Sequence, residues 1–395
     1  MKSRSIKKLL FLTVCYFLAA NFAHPVEPTF YKNLAMPDYM FGLAFAAMAT
    51  FNFLFSPFWG KIADQYGPNK VLGISFLFYA VGQVMFFLAK SVSDLIIARC
   101  FAGIFISGVT VGEILYIIEN TNEEERGKYL ATYATISAIF SAFGYMIGGI
   151  IGDMNISFSF YAQIIGLALT GILHFLILED RPRETVSLKA RQLLKESNPF
   201  QAFLDARSLM SKPFLYFLMI CMFTAFATNC YDQCFNYFIK DVYGFPPSYN
   251  GWLKGAIGII TLIANSTICA YLLSHTKIER SLVKVLVVCL GMMIGIILID
   301  AIVPFIILNV IFFAFNAVYK PLLQTMINWF NKDKQSGTVV GVYNSVSSLG
   351  TILGSLVAGF VYSSGPKLSF VYAAIAFVIA IVFSFLQMKH REGTV

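Results

Sequence analysis

Long apolar runs, separated by short polar connections, fill almost the whole chain. Twelve runs are long enough to cross a hydrocarbon core of roughly 30 Å as helices. The pattern predicts helix 1 at about 8–30, helix 2 at about 39–60, helix 3 at about 70–89, helix 4 at about 94–118, helix 5 at about 128–152 and helix 6 at about 157–178. Helix 7 follows at about 213–239, helix 8 at about 248–274, helix 9 at about 283–301, helix 10 at about 304–329, helix 11 at about 337–362 and helix 12 at about 368–388. The polar stretch 179–212 divides this series into two sets of six, 1–178 and 213–395. It reads as a tether, within which LKARQLLKE has the pattern of a short interfacial helix.

The second set is a faint copy of the first, displaced by 210 residues. Gly60 falls on Ala270, Asp64 on Ser274, Lys70 on Arg280, Gly127 on Gly337, Gly144 on Gly354 and Gly149 on Gly359. A constant offset without gaps indicates a duplicated membrane unit. Lys2, Arg4, Lys7 and Lys8 precede the first apolar run, a start that also fits a secretory signal, with Ala23 as a cleavage site. The repeat requires this helix, so it is expected to be retained.

Composition supports the same class. Charged residues make up only 13% of the 395 residues, against about 25% in soluble domains. The net charge of +8 does not indicate nucleic acid, because no soluble basic domain exists. With both termini cytoplasmic, 22 Lys and Arg fall in inside segments and five outside: Lys32, Lys90, Lys240, Lys254 and Lys367. That bias sets the expected orientation, and an odd helix count would break it. The seven cysteines lie in apolar runs, which argues against a disulfide framework; Cys230 and Cys234 share a helix face and read as packing. The four His are scattered at 24, 174, 275 and 390, and no P-loop pattern occurs, so neither an enzyme nor an ATPase is expected. No metal or cofactor is expected, and the lipid bilayer is an expected partner.

The residues from Gly60 to Gly149 carry the most specific wording: GKIADQYGPNK, then LIIARCFAG, ENTNEEERGK and FGYMIGG. This region resembles the signature region of the major facilitator superfamily of secondary transporters, most closely its twelve-helix drug:proton antiporter branch. The resemblance implies an all-α membrane fold of two six-helix bundles around a central cavity, exposed to each side in turn by rocking. It also implies a small-molecule substrate and protons as partners, a proton gradient as the energy source and a chain acting as a monomer. In the family's loop between helices 2 and 3, Gly60, Asp64, Gly67 and Lys70 match a conformational latch, with Glu119 as its acidic partner on helix 4. Its Asp is expected against a helix N-terminus from the other half, where the dipole favours a carboxylate. Gln65 stands where the family has a basic residue. Arg99 and Gly103 match the helix 4 motif, whose Arg takes part in proton relay in the family. Gly144, Gly148 and Gly149 match the helix 5 antiporter motif, but Tyr145 replaces its Pro. These glycines are expected to permit close helix packing.

Ionisable residues within the spans are the functional candidates. Arg99 and Glu113, fourteen residues apart, share one stripe of helix 4, roughly 21 Å apart along its axis. Glu27 and Asp232 stand at similar places in helices 1 and 7, which line the cavity in the family. Glu27 lies between Pro25 and Pro28, which break the helix and free backbone groups. A partly buried carboxylate can take up a proton near neutral pH, so Glu27, Asp232 and Glu113, with Arg99, are the proton-coupling candidates. His24 is placed to tune Glu27. Lys320 is the deepest cation, with Asn316, Tyr319 and Gln324 about one turn away. These four, with Asn229, Tyr231 and Asn236 on helix 7, are the substrate-cavity candidates; Asn265 and Asn344 are further polar positions.

Two functions compete. The first is proton-coupled efflux of small apolar or amphiphilic compounds through the cell membrane. The second is symport or facilitated uptake of a polar or anionic metabolite, with Lys320 as its counter-charge. A membrane-embedded enzyme or a receptor would need a clustered site or a soluble surface that the sequence lacks.

Overall fold

A computed structural model describes residues 2–180, 197–205, 207, 210–330 and 336–392. Twelve helices among them are long and apolar enough to cross a membrane. Most of the interfacial-helix segment LKARQLLKE lies outside the described residues. Helices 3, 4 and 6 span Pro68–Leu88, Val92–Asn120 and Ile156–Ile177, within two residues of expectation. Helix 5 (Glu123–Met154) starts a turn earlier, helped by Glu123, Glu124 and Glu125 at its positive end. Helices 7, 9, 10, 11 and 12 span Lys212–Asp241, Ile278–Leu298, Ile302–Ile327, Ser336–Tyr362 and Leu368–Glu392.

Three helices depart from the simple pattern. Helix 1 runs from Lys2 to Ala20, breaks, passes through a tight turn at His24–Val26 and resumes at Glu27–Asn33. Pro25 and Pro28 account for the break, since each lacks an N–H and both suit a first helical turn. Helix 2 extends to Tyr66, six residues past its expected end, because Lys61–Tyr66 contains no breaker. The connection to helix 3 is therefore the single residue Gly67, at φ +100°, a conformation open chiefly to glycine. Gly60 and Asp64, expected in a loop, are helical. Helix 8 (Pro247–His275) contains one π-helical turn at Asn265–Cys269.

The chain forms two compact units. The first comprises Met1–Pro37, Ala47–Pro199 and Ile239–Gly255; the second comprises Asp38–Ala46, Phe200–Phe238 and Ala256–Val395. In the first, Leu9, Leu12, Tyr16, Leu72, Phe76, Tyr79, Val109 and Leu167 make a buried core joining helices 1, 3, 4 and 6. Helix 5 packs on helix 1 so closely that a Cβ at Gly144 or Gly148 would strike the backbone at Leu18 or Phe22. In the second unit, Gly354 of helix 11 meets the backbone of Phe226 on helix 7 in the same way. The duplication read from the sequence is thus a duplicated packing seam, of the small-residue kind that drives helix association in lipid.

Candidate functional site

Helix 4 begins with a reciprocal cap that fixes its register. Ser91 Oγ accepts from the Asp94 N–H at 3.1 Å, and Asp94 Oδ2 accepts from the Ser91 and Lys90 N–H groups at 3.0 and 3.1 Å. Two turns in, Arg99 is buried, and its Nη2 donates to Glu27 Oε1 at 2.6 Å. Glu27 is the first residue of the resumed part of helix 1, so the proline break sets its carboxylate against helix 4. His24 Nδ1 reaches the same oxygen at 2.9 Å. The guanidinium also lies 3.9 Å from the ring centre of Phe86 and 3.8 Å from Met48 Sδ. An ion pair this buried depends on both partners, because losing either leaves an uncompensated charge in an apolar core.

Tyr145 supplies the other side of the cluster. It stacks on His24 with ring centres 5.6 Å apart and planes at 23°. The residue that departs from the helix 5 motif therefore has a specific contact. Gly103 fits the motif by necessity, since a Cβ there would strike the Met48 carbonyl and crowd Phe51. Gly149 lies against the backbone of Pro247 and Ser248.

Glu113 occupies a second, separate pocket of the first unit. It is fully buried and accepts one hydrogen bond, from Thr13 Oγ1 on helix 1 at 3.1 Å. Tyr133 of helix 5 is the other polar side chain that reaches it. Its Oε2 is buried without a hydrogen-bond partner. Arg99 and Glu113 are both buried, as one stripe of helix 4 requires.

Beside the expected latch residues the structure places a further acid. The N-terminus of helix 3 receives Asp180, just past helix 6: Oδ1 accepts from the Asn69 N–H at 2.8 Å and Oδ2 from the Lys70 N–H at 3.1 Å. Asn69 Nδ2 adds a bond to the Leu178 carbonyl at 2.9 Å. A side chain at Gly67 would strike this carboxylate. Asp64 and the Lys70 side chain are exposed, and Glu119 is half-buried near the end of helix 4. Nothing crowds Gly60, whose nearest neighbour is a Val111 methyl at 3.9 Å. Asp180 had no signal in the sequence, where it reads, after Glu179, as the second acidic residue of a tether.

In the second unit, Thr228 joins helices 7 and 10. Its hydroxyl donates to Asn316 Oδ1 at 3.1 Å and lies 3.1 Å from the Tyr319 hydroxyl. Asn229 donates to Thr351 Oγ1 of helix 11 at 3.1 Å. Lys320 and Gln324 are exposed on helix 10, and Asp232 is half-buried. Tyr231 is buried against Phe235, Phe312, Phe313 and Phe370, and its hydroxyl has no hydrogen-bond partner. Asn236 is half-buried, and its Oδ1 likewise lacks a partner. The structure thus brings Asn316 and Tyr319 together through Thr228, a residue that sequence reasoning missed. A lone Thr on an apolar helix usually bonds its own backbone, which left no signal for it.

The family model described as Major Facilitator Superfamily matches residues 9–327. Multidrug resistance protein 2 of Bacillus subtilis (strain 168) is 22% identical over 373 residues, covering 92% of this chain and 90% of that protein. Quinolone resistance protein NorA of Staphylococcus aureus (strain COL) is 23% identical, covering 98% of each. Among solved structures, a bacterial homolog of the human lysosomal transporter Spinster, inward-facing and unoccupied, superposes with a TM-score of 0.76 at 15% identity, covering 98% of this chain and 97% of that one. The nucleoside transporter NupG gives a TM-score of 0.74 at 16% identity, covering 98% and 99%.

Proposed function

The chain belongs to the Major Facilitator Superfamily and is a multi-pass membrane transporter, and we propose from this that it exports small apolar or amphiphilic compounds from the cell in exchange for protons. The observation that carries the reading is the buried charge of the first unit: an Arg99–Glu27 pair at 2.6 Å and a separately buried Glu113. Ionisable groups inside a membrane span are costly, and a facilitator for apolar molecules has no use for them. A carrier that exchanges protons needs an acid that changes charge away from bulk water. The relatives named for multidrug and quinolone resistance point to the same substrate class at low identity.

In this reading both termini lie in the cytoplasm and the chain works as a monomer. Thr228, Asn316 and Tyr319, with Lys320 and Gln324 on the same helix, form the substrate-selecting surface of the second unit. Asp64, Gly67, Lys70 and Glu119 belong to the conformational latch, whose helix 3 end is held by Asp180.

A second reading has a specific observation behind it. Lys320 is exposed within an apolar span, with Gln324 exposed one turn on. A cation so placed suits a polar or anionic metabolite, taken up with protons or down its own gradient.

Purified protein in sealed liposomes with a trapped pH-sensitive dye distinguishes them. Proton movement opposite to an added lipophilic drug, lost in Glu27→Gln or Glu113→Gln, supports export. Proton movement alongside an anionic metabolite, lost in Lys320→Ala, establishes the second reading. Transport without any proton movement rules out coupling.

A further inference from the structure

The half-buried Glu27 and the fully buried Glu113 of the first unit have opposite surroundings. Glu27 faces a guanidinium at 2.6 Å and an imidazole at 2.9 Å on one oxygen. Adding a proton to Glu27 would strip Arg99 of its counter-charge while Arg99 stays buried. Glu113 has no such cation. Its polar neighbours are the Thr13 hydroxyl, donating at 3.1 Å, and the Tyr133 phenol. Tyr16 of helix 1 and Tyr133 of helix 5 are the titratable groups that face it, and both are neutral at physiological pH. An ionised carboxylate there would have two hydroxyls and no cation to offset its charge, in an apolar core formed by residues such as Leu12, Val109 and Ile117.

We infer that Glu113 is the residue that takes up and releases the transported proton, while Glu27 stays ionised as the counter-ion of Arg99. The inference rests on the proton-coupled reading above. The proton adds to the Glu113 carboxylate from water on one side of the membrane and returns to water on the other. Burial in the closed pocket disfavours the ionised acid, and Oε2, which has no hydrogen-bond partner, can hold the proton. Release then requires water or a cation to reach that oxygen. Helices 1, 4 and 5 contribute Thr13, Glu113 and Tyr133, so deprotonation is tied to their separation.

Infrared difference spectra of the protein in lipid, recorded across a pH step in light and heavy water, read carboxyl protonation without reference to transport. The wild type is expected to show a protonated-carboxyl carbonyl band that titrates and shifts on deuteration. Glu113→Gln, which keeps the acceptor for Thr13, should lose that band; Glu113→Asp should shift it; Glu27→Gln should retain it. A wild type without the band, a band that survives Glu113→Gln, or a band lost in Glu27→Gln overturns the inference. Failure of the parent reading looks different: the Glu113 band titrates, yet no substrate moves protons in liposomes.

Discussion

Helix 4 starts at Val92 and helix 10 at Ile302, so the 210-residue offset of the duplication holds between them. At that offset Arg99 corresponds to Asn309 and Glu113 to Leu323. Both counterparts are buried: Asn309 donates to its own helix at the Phe305 carbonyl at 2.6 Å, and Leu323 packs. The glycine seams, in contrast, are kept in both units, at Gly144 on Leu18 and Gly354 on Phe226. The two copies share what helix packing needs, whereas the counterparts of Arg99 and Glu113 carry no charge. One unit holds a buried ion pair and a lone acid. The corresponding surface of the other joins helices through hydroxyls and amides, as in the Thr228–Asn316–Tyr319 group. Under the proposed function this difference is a division of labour, with charge movement in the first unit and substrate selection in the second.

The comparison can be broken first at the seams. Gly148→Val and Gly354→Val should each prevent folding, because a Cβ meets backbone that cannot yield. Both should lose the monodisperse peak in size-exclusion chromatography. A folded Gly354→Val beside an unfolded Gly148→Val would show that the two seams are not equivalent. Next in size, Arg99→Met should lower stability by about 3 kcal/mol, since Glu27 is left half-buried with only His24 beside it. The double variant Arg99→Met/Glu27→Met should recover most of that loss in thermal unfolding while remaining inactive. Asn309→Leu, at the matching position, should cost only about 1 kcal/mol. Thr228→Val should cost about 1–2 kcal/mol and alter the ranking of substrates in competition assays. Smallest is Asp180→Asn, which removes a charge from the helix 3 N-terminus and should cost about 0.3–1 kcal/mol.

The twelve spans were legible because lipid imposes a length and a composition that leave few alternatives. Arg99, Glu27 and Glu113 were individually visible, as charges in apolar runs always are. Their arrangement was not. Glu27 and Arg99 are 72 positions apart in the chain, and only the proline break of helix 1 aims one at the other. The extension of helix 2 through Asp64 was missed because a family loop motif was read as a loop, although Lys61–Tyr66 contains nothing that stops a helix. The helix 3 cap by Asp180 depends on how helix 6 ends in space, which no spacing rule encodes. The π-turn at Asn265–Cys269 likewise has no local signature.

The most direct test of the division of labour is the number of protons moved per substrate molecule in liposomes, measured side by side for Glu113→Gln and Thr228→Val. The account predicts that Glu113→Gln exchanges substrate with no proton movement. Thr228→Val should keep the wild-type ratio with a changed KM. A wild-type ratio in Glu113→Gln, or an altered ratio in Thr228→Val, would contradict it.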